Sequence, residues 1–271
     1  MLKESPAALR GCYHSPLSSL TSPPYPRLQE FREWEILHSI GESIALAFQL
    51  VLTGSADLIE IVGLSLQVSL SATGFALLIG LPLGALVAIS RFPGRNVVLA
   101  VMNALMGLPP VVVGLLVYLQ LSRSGPLGFL GLLYTPTAMI IAQTILIAPI
   151  VAALSRQILE DLHCEYAEQF RSLCFNPWQS MEALLWDARF SLLTVALAGF
   201  GRAVAEVGAV IIVGGNIDHL TRVMTTSIAL ETSKGDLALA LAIGMVLLTI
   251  ALTVNAAVQM MRTTAARQAY V

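Results

Sequence analysis

Apolar positions fill long blocks of this chain, and polar ones are swept into a few short segments. Five blocks are long enough to cross a bilayer core, which takes about 20 residues of helix: Leu58–Ile89, Val97–Leu121, Tyr134–Leu154, Phe190–Val213 and Leu237–Met260. The first exceeds that length and is expected to tilt or protrude. Residues 33–53 follow another rhythm: Ile36, Ile40, Ile44, Phe48 and Leu52 recur every fourth position among Glu33, Glu35, His38, Glu42 and Gln49. A single apolar stripe on a polar helix suits lying flat at the membrane interface better than crossing it. Upstream, Pro6, Pro16, Pro23, Pro24 and Pro26 among serines leave nothing to build a helix or a core. The pattern predicts an all-α integral membrane protein: a disordered tail over 1–32, an amphipathic interfacial helix over 33–57, a five-span membrane domain over 58–262 and a tail over 263–271.

Composition supports the membrane reading. Charged residues make up 12% of the 271, against about a quarter in soluble domains, too few to clothe a water-facing surface. A formal charge of −2 gives no reason to expect a nucleic-acid partner. Cys12, Cys164 and Cys174 have neither metal-ligand spacing nor a pairing pattern, so no metal site is expected. Lys3 is not followed by an apolar signal region, so membrane insertion is expected to rely on the internal spans. No domain follows Val271 in this sequence, and no fused regulatory domain is expected. Arg91, Arg95, Arg156, Arg171, Arg189, Arg262 and Arg267 fall on one side of the predicted spans, against Arg123, Arg222 and Lys234 on the other. By the positive-inside rule the first group faces the cytoplasm.

That orientation puts residues 155–189 in the cytoplasm, where they read as two short helices. Neither proline nor glycine interrupts Gln157–Leu173. Asn176 followed by Pro177 is a helix start, a capping side chain and then proline in the first turn. Trp178, Met181, Leu184 and Leu185 give the second helix an apolar side, and Glu160, Asp161, Glu165 and Glu168 give the first an acidic one. A capped helix–turn–helix with an exposed Trp is a docking surface for a soluble partner.

This segment resembles the cytoplasmic loop of the permease subunits of type I ABC importers, whose pattern is Glu-Ala-Ala, three residues, then Gly, a turn and a second helix. Glu168, Leu173 and Asn176-Pro177-Trp178 match it. Gln169 and Phe170 stand at the alanine positions, Cys174 stands at the glycine, and Trp186-Asp187 replace the closing Leu-Pro. Met106-Gly107-Leu108-Pro109-Pro110-Val111-Val112-Val113-Gly114, Ser122–Gly128 and Gly201-Arg202-Ala203-Val204-Ala205-Glu206-Val207-Gly208-Ala209 resemble molybdate and tungstate permeases. Ile212-Val213-Gly214-Gly215-Asn216-Ile217 and Thr225–Thr232 resemble the tungstate-type branch. The resemblance spans about residues 40–262. It implies a type I transmembrane fold in a bacterial cytoplasmic membrane, a homodimer with two ATP-binding subunits, and an extracytoplasmic protein that delivers an oxyanion. It also implies that Glu168, Arg171, Leu173, Cys174, Asn176, Pro177 and Trp178 couple the ATPase to the spans, with Glu168 stabilising the loop through Arg171 or backbone amides.

Several residues inside the spans carry two readings each. Pro109 and Pro110 kink span two, either for packing or to shape the translocation path. Arg202 and Glu206, four apart and so on one helix face, form either a structural ion pair or part of a gate or dimer seam. Gly214-Gly215-Asn216 is either a helix stop or a place where free amides meet an oxyanion. The chain contains no Gly-x-x-x-x-Gly-Lys-Ser/Thr loop, so ATP and Mg are expected on a separate partner subunit, with no cofactor in this chain. A molybdate or sulfate importer is the alternative within the class. A secondary transporter, a channel or a membrane scaffold ranks lower: no internal repeat is evident, and none of them needs the docking loop.

Overall fold

The structure, a computed structural model, describes residues 56–90 and 92–269, with Ala45 and Gln49 as isolated positions and side chains as far as Met260. These residues belong to one compact unit, 43–271. The predicted tail over 1–32, nearly all of the predicted interfacial helix, and Arg91 lie outside the described residues. The described elements are helical: α1 Ala56–Ile89, α2 Arg95–Met106, α3 Pro110–Leu121, a short 3-10 turn Gly128–Leu130, α4 Pro136–Ser172, α5 Pro177–Asp187, α6 Arg189–Val204, α7 Gly208–Gly214, α8 Met224–Lys234 and α9 Leu237–Ala269. The expectation of an all-α membrane protein holds. Three stretches are long and apolar enough to span a bilayer: Asp57–Ile89, Pro136–Ser172 and Leu237–Met260. Two bent helix pairs bring the total to five if each makes one span.

Three spans differ from the sequence expectation. Span two is not one kinked helix: α2 and α3 meet at 96°. Leu108 and Pro109 each precede a proline, which disfavours helical backbone. Pro109 is extended, at φ −64° and ψ 123°, and Pro110 opens a new helix. Span three does not stop near Leu154. α4 runs unbroken into the cytoplasmic segment, so the first docking helix is the end of the third span. It begins at a Thr135 cap, whose hydroxyl accepts from the Ala138 N–H, with Pro136 in the first turn. Span four breaks at Ala205–Val207, between α6 and α7. α9 also continues to Ala269, so most of the predicted tail at 263–271 is helical.

α1 and α4 form the central pair. Their contact depends on small residues, as helix pairs in membranes do because lipid competes for larger ones. A Cβ on Gly84 would stand 2.6 Å from the Ala152 carbonyl oxygen and closer still to Ser155 Oγ, and one on Gly80 would stand 2.7 Å from Val151. Ala72, Ala76, Ala85, Ile147, Val151 and Leu159 are buried along this seam. Gly84→Ala should therefore push the helices apart and cost about 1–3 kcal/mol. Thermal melting of the detergent-purified protein checks this, and an unchanged midpoint would mean the seam is looser than described.

The two ends of the bundle are distinct. At one end Arg95 meets Glu160 at 2.7 Å, and Arg156 pairs with the same carboxylate. This ties the start of α2 to the polar stretch of α4, both on the predicted cytoplasmic side. At the other end His219 Nδ1 lies 2.8 Å from Glu60 Oε2, joining the 215–223 loop to the start of α1. The hydrogen bond that the imidazole donates to Glu60, the Glu60 charge and that of Asp218 raise the pKa of His219, so it holds its proton to higher pH than a free histidine.

Candidate functional site

At the end predicted to face the cytoplasm, α4 finishes at Ser172, and Leu173–Asn176 turn the chain into α5. Cys174, at φ 52°, occupies the left-handed region. That conformation costs an L-residue about 1–2 kcal/mol, which explains why the resembling loops carry glycine there. Several contacts brace the turn. Phe175 N–H donates to the Phe170 carbonyl at 3.0 Å. The two rings stack at 5.5 Å, and Phe170 also contacts His163 and Tyr166. Phe170, standing at an alanine position of the pattern, is thus the centre of an aromatic cluster. Asn176 is the N-cap residue, but the bond that closes the cap runs from its own N–H to Gln179 Oε1, at 2.9 Å. Asp187, at the far end of α5, lies close enough to Tyr166 of α4 to act on its phenol electrostatically.

What this braced turn presents outward is large and apolar. Trp178 is 68% exposed, Trp186 72% and Leu173 64%. Glu168 and Arg171 are exposed too. The Glu168 carboxylate makes no ion pair or hydrogen bond among the described residues; only its backbone carbonyl is engaged, by Ser172 Oγ at 2.9 Å. Among the described residues, neither Arg171 nor a backbone amide donates to the Glu168 carboxylate. The aromatic cluster does that bracing, and the two charges face outward.

The second cluster sits at the break in span four. Glu206 is not on the helix that carries Arg202; it lies past the end of α6. The pair forms nevertheless, between Arg202 Nη1 and Glu206 Oε2. The other carboxylate oxygen accepts from Ala209 N–H at 3.0 Å. The Glu206 side chain is 4% exposed, that of Arg202 32%. The backbone of the break is held from two other helices. Thr225 Oγ1 of α8 donates to the Glu206 carbonyl at 2.9 Å, and Gln143 Nε2 of α4 donates to the Ala203 carbonyl at 3.1 Å. α3 packs closely beside α7, where a Cβ on Gly114 would lie 2.8 Å from Ala209 Cα. Pro109 and Pro110 set the start of α3 and so stand next to this break: Gly208 approaches Val111.

The third cluster is the end of α7. Gly215, at φ 73°, terminates the helix, and its N–H donates to Ile211. Asn216 is left-handed too, at φ 51°. Thr221 bridges the turn, donating to the Gly214 carbonyl at 2.6 Å and accepting from Ile217 N–H at 2.9 Å. Gly214 is pressed against Met139, and Gly215 against Tyr134. The Gly215 and Ile217 amides are thus taken up internally, while Asn216 Oδ1 is buried without a partner.

The structure brings residues 168–178, expected to form the docking turn, together at one end and gathers Pro109, Pro110, Arg202 and Glu206 around the break. Gly214–Asn216 lie one helix further on, at the opposite end from the docking turn. Sequence reasoning missed Gln143 and Thr225. A signal existed for Gln143, an amide inside the largely apolar run Met139–Ile147, since polar side chains at such depth need a reason.

Comparison with known proteins adds independent findings. Residues 80–263 match the family described as binding-protein-dependent transport system inner membrane component. The tungstate uptake system permease protein of Peptoclostridium acidaminophilum is 40% identical over 219 residues, covering 81% of this chain and 96% of that protein. The one from Campylobacter jejuni is 38% identical, over 61% of this chain and 69% of its own length. The molybdenum transport system permease protein of Azotobacter vinelandii is 28% identical, over 61% and 76%.

Proposed function

The chain belongs to the family of binding-protein-dependent transport system inner membrane components, and from that premise we propose that it is the permease of an ATP-driven tungstate importer. It is a multi-pass membrane protein, and its family members are transport subunits that work with ATPase and binding-protein partners. The observation that carries the coupling half of the proposal is the braced turn at 173–178, with Trp178 exposed on the Arg-rich end. ATP and Mg are held by a separate subunit that docks there. Two copies of the chain assemble. The uncovered apolar positions Val111, Val112, Leu115, Leu116 and Leu119 of α3, with Val207 and Ile211 beside them in span four, offer a second copy a face to pack on. The binding protein delivers its oxyanion at the end bearing Gly215, Asn216 and His219. Tungstate is favoured as cargo by identity: the tungstate permeases match at 38–40%, the molybdenum permease at 28%.

Reconstitution tests this. The purified chain alone should hydrolyse no ATP. With its ATPase and binding protein in vesicles, tungstate uptake should require ATP and the binding protein. Molybdate or sulfate should compete only at concentrations at least about tenfold higher, a difference of about 1.4 kcal/mol in recognition. Equal competition would widen the cargo to tetrahedral dianions in general. Uptake by the chain alone, without ATP, would make it a channel or secondary transporter instead.

A further inference from the structure

We propose that α4 is a lever joining the docking turn to the break in span four, and that Gln143 and Thr225 are the positioning residues that grip the break. This rests on the importer reading and deepens it. α4 is one helix from Pro136 to Ser172. Its cytoplasmic end carries the docking turn, and Gln143 lies near its other end. The 29 positions between Gln143 and Ser172 correspond to about 43 Å of helix. A displacement of the turn by a docked ATPase is therefore delivered, along a single element, to the side chain that holds the Ala203 carbonyl. Pro149 lies within the helix but does not interrupt it.

The grip is suited to two states rather than one. Ala203 O already accepts from Glu206 N–H at 3.2 Å, so the break does not depend on Gln143 for its own satisfaction. Gln143 is 4% exposed, and its Oε1 is buried with no partner. The orientation of the amide is fixed, because the atom facing the Ala203 carbonyl must be the donor. Gln143 lines a small cleft together with Ser65, Ser69, Glu206 and Thr225. A native buried acceptor without a partner calls for an explanation. A second arrangement of the break, in which a cleft hydroxyl donates to Gln143 Oε1, supplies one and gives the lever two resting positions. Thr225, which now donates to the Glu206 carbonyl, holds the same break from α8. Movement of α4 relative to α8 must then rearrange the break between them.

The test uses the full complex in vesicles, with Cys12, Cys164 and Cys174 replaced by serine and Ala205→Cys as reporter, since Ala205 is exposed within the break and lies off the apolar face assigned to the second copy. Maleimide labelling of position 205 should differ at least threefold between the nucleotide-free and vanadate-trapped complexes. Adding Gln143→Leu or Thr225→Val should shrink that difference below twofold and raise the ATP hydrolysed per anion taken up at least fivefold. Both variants should still assemble: without Gln143 the Ala203 carbonyl keeps the Glu206 N–H, and Thr225→Val removes a single hydrogen bond, to the Glu206 carbonyl, while keeping the side-chain shape. If both variants retain the wild-type labelling difference and the wild-type ratio, the lever proposal is overturned. It is equally overturned if labelling is independent of nucleotide while the unmodified complex still couples hydrolysis to uptake. Loss of all uptake in the unmodified complex would instead count against the importer reading.

Discussion

Arg202→Met is expected to lose most of its folded protein, while Glu206→Gln keeps most of its own. The two residues are partners but not equals. Glu206 is nearly fully buried, with Arg202 and the Ala209 N–H as its side-chain contacts, whereas Arg202 is a third exposed. Removing the guanidinium strands a carboxylate away from water, a loss of about 3–5 kcal/mol for buried pairs. Removing the carboxylate's charge leaves an arginine that is a third exposed rather than buried. A glutamine at 206 also still accepts from Ala209 N–H, so the cost falls to about 1–2 kcal/mol. The double variant Arg202→Met with Glu206→Gln should recover most of what the single Arg202 change loses. The checks are the yield surviving size-exclusion chromatography and the melting midpoint of each variant. Equal, near-wild-type stability of both single variants, with uptake abolished, would assign the pair to gating rather than to holding the break together.

The asymmetry is invisible in the sequence, where a spacing of four suggests a shared helix face. The chain leaves helical geometry between the two residues, and no strong breaker announces it: Ala205-Glu206-Val207 contains neither proline nor glycine. Tertiary bonds from Gln143 and Thr225 hold the break, and such bonds join residues 60 and 19 positions away, beyond any local pattern. The break in span two is different. Gly107, Pro109 and Pro110 are all in view, and the sequence understates only the size of the bend, because two successive prolines act on both sides of one turn. Legible throughout are the features set by hydropathy and local caps: the apolar spans, the Asn176-Pro177 helix start and the turn that precedes it. The continuity of α4 across Leu154 is less so. Arg156, Glu160 and Asp161 read as the end of a span, yet helix propensity does not stop where the membrane does. The Arg95–Glu160–Arg156 cluster holds that junction.

Trp178→Ala should weaken binding of the ATPase subunit by about thirtyfold and Glu168→Lys by about tenfold or less, with neither change disturbing insertion or melting. The first figure corresponds to roughly 2 kcal/mol, the scale of an aromatic anchor at an interface. The second reflects a charge at the edge of a contact, where reversal affects encounter and orientation more than burial. Both residues are exposed, and neither side chain makes a hydrogen bond or ion pair among the described residues, so substitution removes nothing from the fold beyond a few tenths of a kcal/mol. The turn that carries them is a different matter. It is stiffened by Pro177 in the first turn of α5, by Gln179 on Asn176 N–H and by the Phe170–Phe175 stack. A stiff turn passes force to α4 without absorbing it. Phe170→Ala should accordingly leave docking affinity within about threefold of wild type while lowering anion uptake per ATP, the opposite profile to Trp178→Ala. The measurements are ATPase-subunit affinity in detergent and the ratio of uptake to hydrolysis in vesicles stimulated by loaded binding protein. If Trp178→Ala and Glu168→Lys both bind, hydrolyse and transport at wild-type rates, the turn does not couple the ATPase, and the contact must lie elsewhere on the cytoplasmic end.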